Sequence, residues 1–432
     1  MALVSLSERD LLLLTNYEYF NCSTYEGTIG DNINNLKNDD GSFDMEKVIA
    51  QGATGDIITE EAAVDILSRL DSDEKLRNLY ASRNINEGGI RGTLYTSDEG
   101  SDAVVVFRGT GGTYKAWEDN VLGEYQTDTK LQKLAADFVK YECSEYKHIT
   151  ATGHSKGANL AQYVTVVCAD QIDRCVAYDG QGMGDNARKA HKEEIKIASE
   201  KITAINGYND FVNILLTPIA GTVLYVKNQE GLSVAMHSSY TLLSNGSFDD
   251  DGNFKRDYGV VPQLPAMTMA KWASSGIVSM MSALPKDGEE KAANILAAYT
   301  ASIFSNDKGE EYEKGKIDSA LKNFRKYVGE LLSIEDQSGY QVNCLCTSLF
   351  VDLGGLKRVK SELDMLVYEL RKYPETVEDV LVRIDYSILG RYYTENALKR
   401  IIDKMDRMLD MLTDYSSKLE RIILIYEEAD KL

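Results

Sequence analysis

Lys147-His148-Ile149-Thr150-Ala151-Thr152-Gly153-His154-Ser155-Lys156-Gly157-Ala158-Asn159-Leu160-Ala161-Gln162-Tyr163-Val164 is the stretch that decides the fold. Its first six residues make a short β-branched run, and Ala158 to Val164 carry helical spacing. Between them stands Gly153-x-Ser155-x-Gly157, which fits the sharp strand-to-helix turn of a nucleophile elbow. In such a turn the serine hydroxyl is lifted above the sheet edge, and the N–H groups that follow it point at the same place. Both glycines are expected to be steric necessities, because bulk at Gly153 or Gly157 would strike the neighbouring strand and helix. The pentapeptide alone is a common accident. Its strand and helix flanks give it weight.

A serine hydroxyl is a poor nucleophile until a base takes its proton, and only four histidines are available. His154 is inside the elbow and points away from Ser155. His148 is on the feeding strand, too near in sequence to fold back. His191 sits in Ala190-His191-Lys192-Glu193-Glu194, which reads as a solvated helix face. His237 remains, after a β-like run from Thr222 to Lys227. An acid between serine and histidine in chain order suits an α/β-hydrolase arrangement, and two aspartates compete for the role. Asp210 follows the strand-like Ile202-Thr203-Ala204-Ile205-Asn206, at the end where catalytic groups collect in open α/β sheets. Asp179 follows Cys175-Val176-Ala177-Tyr178 and reads more simply as a turn residue capping the next helix. Asp210 is preferred.

Charge developing on a substrate carbonyl oxygen needs preorganised N–H donors. One is expected from the backbone of Lys156, directly after the nucleophile. A second is expected where the buried run Ala103-Val104-Val105-Val106-Phe107 passes into Arg108-Gly109-Thr110-Gly111-Gly112. No Gly-Lys-Ser/Thr ending follows those glycines, so a nucleotide-binding loop is disfavoured.

Val106-Phe107-Arg108-Gly109-Thr110, with Trp117-Glu118-Asp119-Asn120 downstream, resembles the oxyanion strand of class 3 lipases. The segment Thr152 to Ala161 resembles their elbow, and Asn209-Asp210-Phe211-Val212 their acid segment. The opening Ser7-Glu8-Arg9-Asp10-Leu11-Leu12-Leu13-Leu14 is similar to the start of a bacterial branch related to them. The resemblance spans roughly the first 250 residues. It implies Ser155, Asp210 and His237 as a catalytic triad, with Thr110 and Lys156 at the oxyanion hole. Lys156, where leucine is usual, and Ala158-Asn159, in place of the second glycine and its neighbour, depart from the pattern. These changes are expected to reshape the acyl pocket. Acyl ester chemistry of this kind calls for no metal and no cofactor.

At 432 residues the chain exceeds what one core usually supports. The expected organisation is an α/β-hydrolase domain over 1–255, with a mostly parallel sheet flanked by helices. A helical connecting region over 256–340 follows, and then an all-α hairpin or bundle domain over 341–432. The net charge of −21 argues against nucleic acid. It also argues against adsorption to anionic membranes, so a lipid substrate must be met through an apolar surface or a partner. The N-terminus has no basic region before its apolar residues, and Ser5-x-x-Glu8 reads as a capping box, so a signal peptide is not expected. Six cysteines without paired zinc spacing do not suggest a disulfide scaffold, and Cys344-x-Cys346 reads as two small core residues. Asp249-Asp250-Asp251-Gly252-Asn253 has its glycine misplaced for an EF-hand and reads as a hairpin or linker turn.

Beyond about Gly259 helical spacing takes over. Pro265 to Pro285 encloses a methionine-rich face that reads as a packed connecting helix or, alternatively, a lid. Leu398, Met405, Leu412, Leu419 and Tyr426 recur every seven positions, and Ile401, Met408, Tyr415, Ile422 and Ala429 follow three later. The helix Leu356 to Arg371 is positioned to return against them as an antiparallel hairpin. Val351-Asp352-Leu353-Gly354-Gly355-Leu356 resembles the opening of LXG-like targeting domains of type VII-secreted toxins. Tyr426 and Asp430 resemble the Tyr-x-x-x-Asp/Glu export motif of such substrates. That resemblance implies an exported antibacterial lipase or phospholipase with its toxin domain first. It further implies small helical type VII partner proteins and an immunity protein as partners. Two other readings stay open: an inactive hydrolase-fold interaction protein, and a cytoplasmic esterase with a helical cap.

Overall fold

A computed structural model gives the fold and describes residues 6–53, 58–97, 100–111, 113–207, 210, 212–213, 215–226, 237–246 and 248–255. It adds scattered helical positions at 293, 294, 297, 301, 357, 360, 361, 364, 368, 413, 416, 417 and 420. The chain divides into two units, Met1–Lys271 with Ala293–Lys322, and Trp272–Ala292 with Asn323–Leu432.

The first unit is built on one eight-stranded sheet whose spatial order follows the chain: β1 (Gly27–Thr28), β2 (Tyr80–Glu87), β3 (Ile90–Thr96), β4 (Asp102–Phe107), β5 (His148–His154), β6 (Ile172–Tyr178), β7 (Ile202–Gly207) and β8 (Thr222–Val226). The first four strands pair antiparallel. β2 and β3 are joined through Gly88-Gly89, both at positive φ, as a two-residue hairpin of this twist requires. From β4 to β8 all pairings are parallel. The expected α/β architecture is therefore present in this part of the chain.

Sheet order and helix placement are linked. Crossovers of the usual right-handed kind that always step in one direction put their helices on one face. On that face Leu131, Ala135 and Val139 of helix Lys130–Glu142, and Leu160 and Val164 of helix Lys156–Val167, pack on Val105, Ala151, Cys175 and Ile202. The opposite face must then be covered by segments outside the crossovers, since a parallel sheet is stable only when buried on both sides. Helices Glu8–Tyr17, Glu60–Ser72 and Ser239–Asn245 supply Leu11, Leu14, Leu67, Leu70 and Leu242 against Val104, Val106, Val176 and Ile205. Consecutive residues of β4 serve the two cores alternately, which is the period-2 logic of a strand buried on both faces.

Helix Glu8–Tyr17 starts later than the sequence suggests. Its capping box is Ser7 with Asp10, while the Glu8 carboxylate accepts from the backbone of Phe254. The Asp249–Asn253 segment is a tight turn between paired Phe248 and Phe254, closed by Asp249 Oδ1, and Arg9 N–H donates to the Gly252 carbonyl. The two ends of the domain thus hold each other. Cys22, Cys143, Cys168 and Cys175 are buried free thiols.

In the second unit Lys360 pairs with Asp364 and, at 3.9 Å, with Glu420, while the Ser416 hydroxyl donates to Asp364. The pairs 360/420 and 364/416 run in opposite senses, so these helical residues face one another antiparallel. Cys344-x-Cys346, the Val351–Leu356 motif, Tyr426, Asp430 and the Pro265–Pro285 face lie outside the described residues, as does most of the heptad pattern. No helix among the described residues is long and apolar enough to cross a membrane.

Candidate active site

Ser155 follows β5 and is the N-cap of helix Lys156–Val167, with φ 59° and ψ −123°. A non-glycine residue there costs on the order of 1–3 kcal/mol, and the surroundings hold it in place. Its N–H donates to the Tyr178 carbonyl at the end of β6, and its own carbonyl accepts from Asn159. The elbow glycines are as tight as expected. A Cβ on Gly153 would lie 2.5 Å from the Gly157 carbonyl carbon and 2.6 Å from the Phe107 oxygen, and one on Gly157 would lie 2.0 Å from that same oxygen.

His237, at the start of the segment leading into helix Ser239–Asn245, brings Nε2 to 2.7 Å from Ser155 Oγ and Nδ1 to 2.5 Å from Asp210 Oδ2. Asp210 is fully buried, and its other oxygen accepts from the backbone N–H of Val212 at 2.6 Å and Asn213 at 3.1 Å. The structure thus joins the three sequence candidates in one hydrogen-bonded line. The other histidines are elsewhere or differently engaged. His148 pairs with Asp173 at the surface, and His191 is not on a solvated face but is partly buried against Asp128 and Tyr163.

His154 is not remote from the site. Its ring lies 4.6 Å from that of His237 at a 35° tilt, and its Nδ1 is 2.8 Å from the Tyr19 hydroxyl. Burial, with the His237 charge, holds its pKa well below the ordinary histidine value, so the base rests on an uncharged ring. His237 itself shifts the other way. Burial opposes its charged form, but the charge and hydrogen bond of Asp210 more than offset that and raise its pKa above 6.5. Proton abstraction needs the neutral ring. kcat/KM should therefore fall on the acid side through an apparent pKa above the ordinary histidine value, and a pH profile with its acid limb at or below 6.5 would contradict the geometry.

The loop after β4 closes on the elbow. A Cβ on Gly109 would meet Ser155 Cβ at 3.3 Å and the Tyr19 hydroxyl at 2.3 Å, so a side chain there would have to displace that hydroxyl. The Thr110 hydroxyl oxygen accepts from Asn120 Nδ2 at 2.9 Å, which leaves its own proton free to point elsewhere. Lys156 is the first residue of its helix, so its N–H has no intrahelical acceptor and faces the nucleophile's end. Its side chain is turned into the protein interior. The ammonium is buried and pairs with Asp119 Oδ2 at 2.7 Å, and Asp119 also accepts from Thr129 Oγ1 and Leu131 N. Asp119 and Asn120, adjacent on helix Tyr114–Tyr125, therefore hold Lys156 and Thr110 at once. Lys156→Met should cost about 3–5 kcal/mol in urea denaturation, because it strands a buried carboxylate. The double change with Asp119→Asn should recover most of that loss.

Asp179 is not a helix cap. The next helix, Asp185–Ala190, begins six residues later behind Gly184. Asp179 instead sits fully buried at φ 46°, accepting from Gly207 N–H and from Asn213 Nδ2. Asp119, Asn120, Asn213 and Tyr19 were not singled out as functional from sequence. Only the downstream position of Trp117-Glu118-Asp119-Asn120 hinted at two of them.

Residues 92–261 match the model of the Mbeg1-like family, which is lipase-like. The matched stretch is less than half of the chain and contains β4, the elbow, Asp210 and His237. No curated protein matches the chain.

Proposed function

We propose that this chain is a serine hydrolase of carboxylic esters, acting on acyl lipids of the phospholipid class through Ser155, His237 and Asp210. The observation that carries the reading is the unbroken line Asp210–His237–Ser155. The Ser155 oxygen attacks the acyl carbonyl as its proton passes to His237 Nε2. Asp210 holds the ring through Nδ1 and stabilises its cationic form. The N–H groups of Lys156 and Thr110, with the Thr110 hydroxyl, receive the oxyanion, each donor being worth about 3 kcal/mol in the transition state. His237 then protonates the leaving alcohol. Water, deprotonated by the same ring, releases the fatty acid from the acyl-enzyme.

A fluorophosphonate probe should label Ser155 in the folded protein, and mass spectrometry of mixed lipids incubated with it should show free fatty acid and a deacylated lipid. Absence of labelling with and without lipid would favour the inactive, partner-binding reading. Fatty-acid release from simple esters but from no phospholipid would narrow the substrate class.

Export by a type VII-like route, with small helical partners on the C-terminal helices, belongs to the same proposal. It is supported by the resemblance of Val351–Leu356 and of Tyr426 with Asp430. Tyr426→Ala should retain the chain in the cytosol of a host with a working type VII apparatus.

A further inference from the structure

Two carboxyl groups, not one, converge on the acid end of this site. β6 and β7 are parallel neighbours, Asp179 directly follows the first, and Asp210 lies three residues beyond the second. Both attach to the same turn. Asp179 N–H donates to the Ile205 carbonyl, and its Oδ1 accepts from Gly207 N–H at 2.6 Å, while Asp210 N–H donates to the Gly207 carbonyl. Asn213 bridges them, giving its backbone N–H to Asp210 Oδ1 and its side-chain N–H to Asp179 Oδ1 at 3.0 Å. Neither carboxyl is exposed at all.

Two negative charges in one dry pocket are costly, so such pairs share a proton. The donor inventory says which group keeps it. Asp210 has donors on both oxygens, His237 on one and two backbone N–H groups on the other. Asp179 has donors only on Oδ1, and its buried Oδ2 meets none among the described residues. An oxygen without donors suits a hydroxyl better than a bare anion. Asp179 takes a positive φ of 46°, a backbone conformation that aspartate adopts more readily than most residues. Among the described residues the charged or titratable groups that face Asp179 are Asp210 and His237. Burial, with the charge of Asp210, pushes its carboxyl up to about 8, and the lowering effects of His237, Asn213 and Gly207 do not offset that.

We propose that Asp179 is a second acid of this site, neutral beside an ionised Asp210 and able to take over the negative charge facing His237 when Asp210 is removed. In the native enzyme it is a positioning residue that limits the pocket to one charge. On loss of Asp210 its proton leaves to solvent and the carboxylate takes over the electrostatic support of the imidazolium.

This rests on the hydrolase reading above, so the test has an arm that does not depend on activity. In wild-type protein carrying 13C-labelled aspartate carboxyls, one buried resonance should titrate near pH 8 and disappear in Asp179→Asn. If every aspartate titrates in the ordinary acidic range, the proposal is overturned, whether or not the variant folds. The second arm follows fluorophosphonate labelling of Ser155 against pH. Loss of a triad aspartate ordinarily costs about 10⁴-fold. Asp210→Asn removes a charge that helps raise Asp179, so in that variant the Asp179 carboxyl should ionise at lower pH than in wild type and labelling should lose far less at alkaline than at acidic pH; Asp179→Asn/Asp210→Asn should fall at least about 10-fold further at the alkaline end, towards that limit. Equal labelling rates for the single and double variants at every pH would sink the proposal. Wild-type protein that never labels would instead count against the hydrolase reading, and the 13C titration would still decide the state of Asp179.

Discussion

Ser155→Ala should lower ester hydrolysis by about 10⁴-fold or more and abolish fluorophosphonate labelling, with the fold and thermal midpoint unchanged. Among the described residues the side chain removed hydrogen-bonds to His237, and alanine adopts the same backbone angles at similar cost, so stability has little to lose. His237→Ala should be nearly as damaging. The double variant should be no worse than either single, because the serine and its base work as one unit and residual catalysis comes from the oxyanion donors. Turnover measured for wild type, both singles and the double decides this. Additive losses would mean that His237 acts on something other than the Ser155 proton. A Ser155→Ala variant with undiminished turnover would place the nucleophile elsewhere.

What the sequence disclosed about this site, and what it hid, divides by the range of the interactions. The elbow was legible because strand, turn and helix are neighbours in the chain and each has its own periodicity. His237 was legible by elimination, since three of four histidines sat in segments unable to reach Ser155. β4 and its glycine-rich exit were legible as a buried apolar run followed by bare backbone. The parallel α/β core follows from those segments. The sequential strand order does not, because apolar strands buried on both faces look alike and nothing local says which neighbours which. The contacts that pin the site were hidden for a similar reason. Lys156 and Asp119 are 37 positions apart, and a lysine after the nucleophile reads only as a change of pocket shape until a buried carboxylate is seen opposite. From sequence His154 only points away from Ser155, whereas in the fold its ring lies 4.6 Å from that of His237, which arrives through a segment 82 residues after the serine. Asp179 looked like a turn residue because its partners, Gly207 and Asn213, belong to the next strand's exit.

Gly157→Ala should be among the most destructive single-methyl changes in this protein, and the sign of its effect is informative. In an exposed helix interior, alanine in place of glycine gains about 1 kcal/mol. Gly123, inside helix Tyr114–Tyr125, is a fair control. A Cβ there would find Thr129 Cγ2 at 3.7 Å and Gln181 Nε2 at 3.9 Å, ordinary contact distances, so Gly123→Ala should be neutral or stabilising by up to that amount. At Gly157 the same methyl would stand 2.0 Å from the Phe107 oxygen, 2.7 Å from its carbonyl carbon and 2.9 Å from the Arg108 carbonyl carbon. All three are backbone atoms at the end of β4, with no rotamer through which to yield. Relief requires moving the helix off the sheet or dragging the Arg108–Thr110 loop away from Ser155. Either movement forfeits packing in a close-packed interior, where overpacking alone costs about 1–3 kcal/mol and a clash with rigid backbone sits at or beyond the top of that range. The loss should appear as a urea midpoint well below that of wild type. Because the displaced loop carries Thr110, hydrolysis should fall further than the unfolded fraction explains. A Gly157→Ala protein with native stability would mean that helix Lys156–Val167 does not seat on β4, and the elbow geometry of Ser155 would go with it.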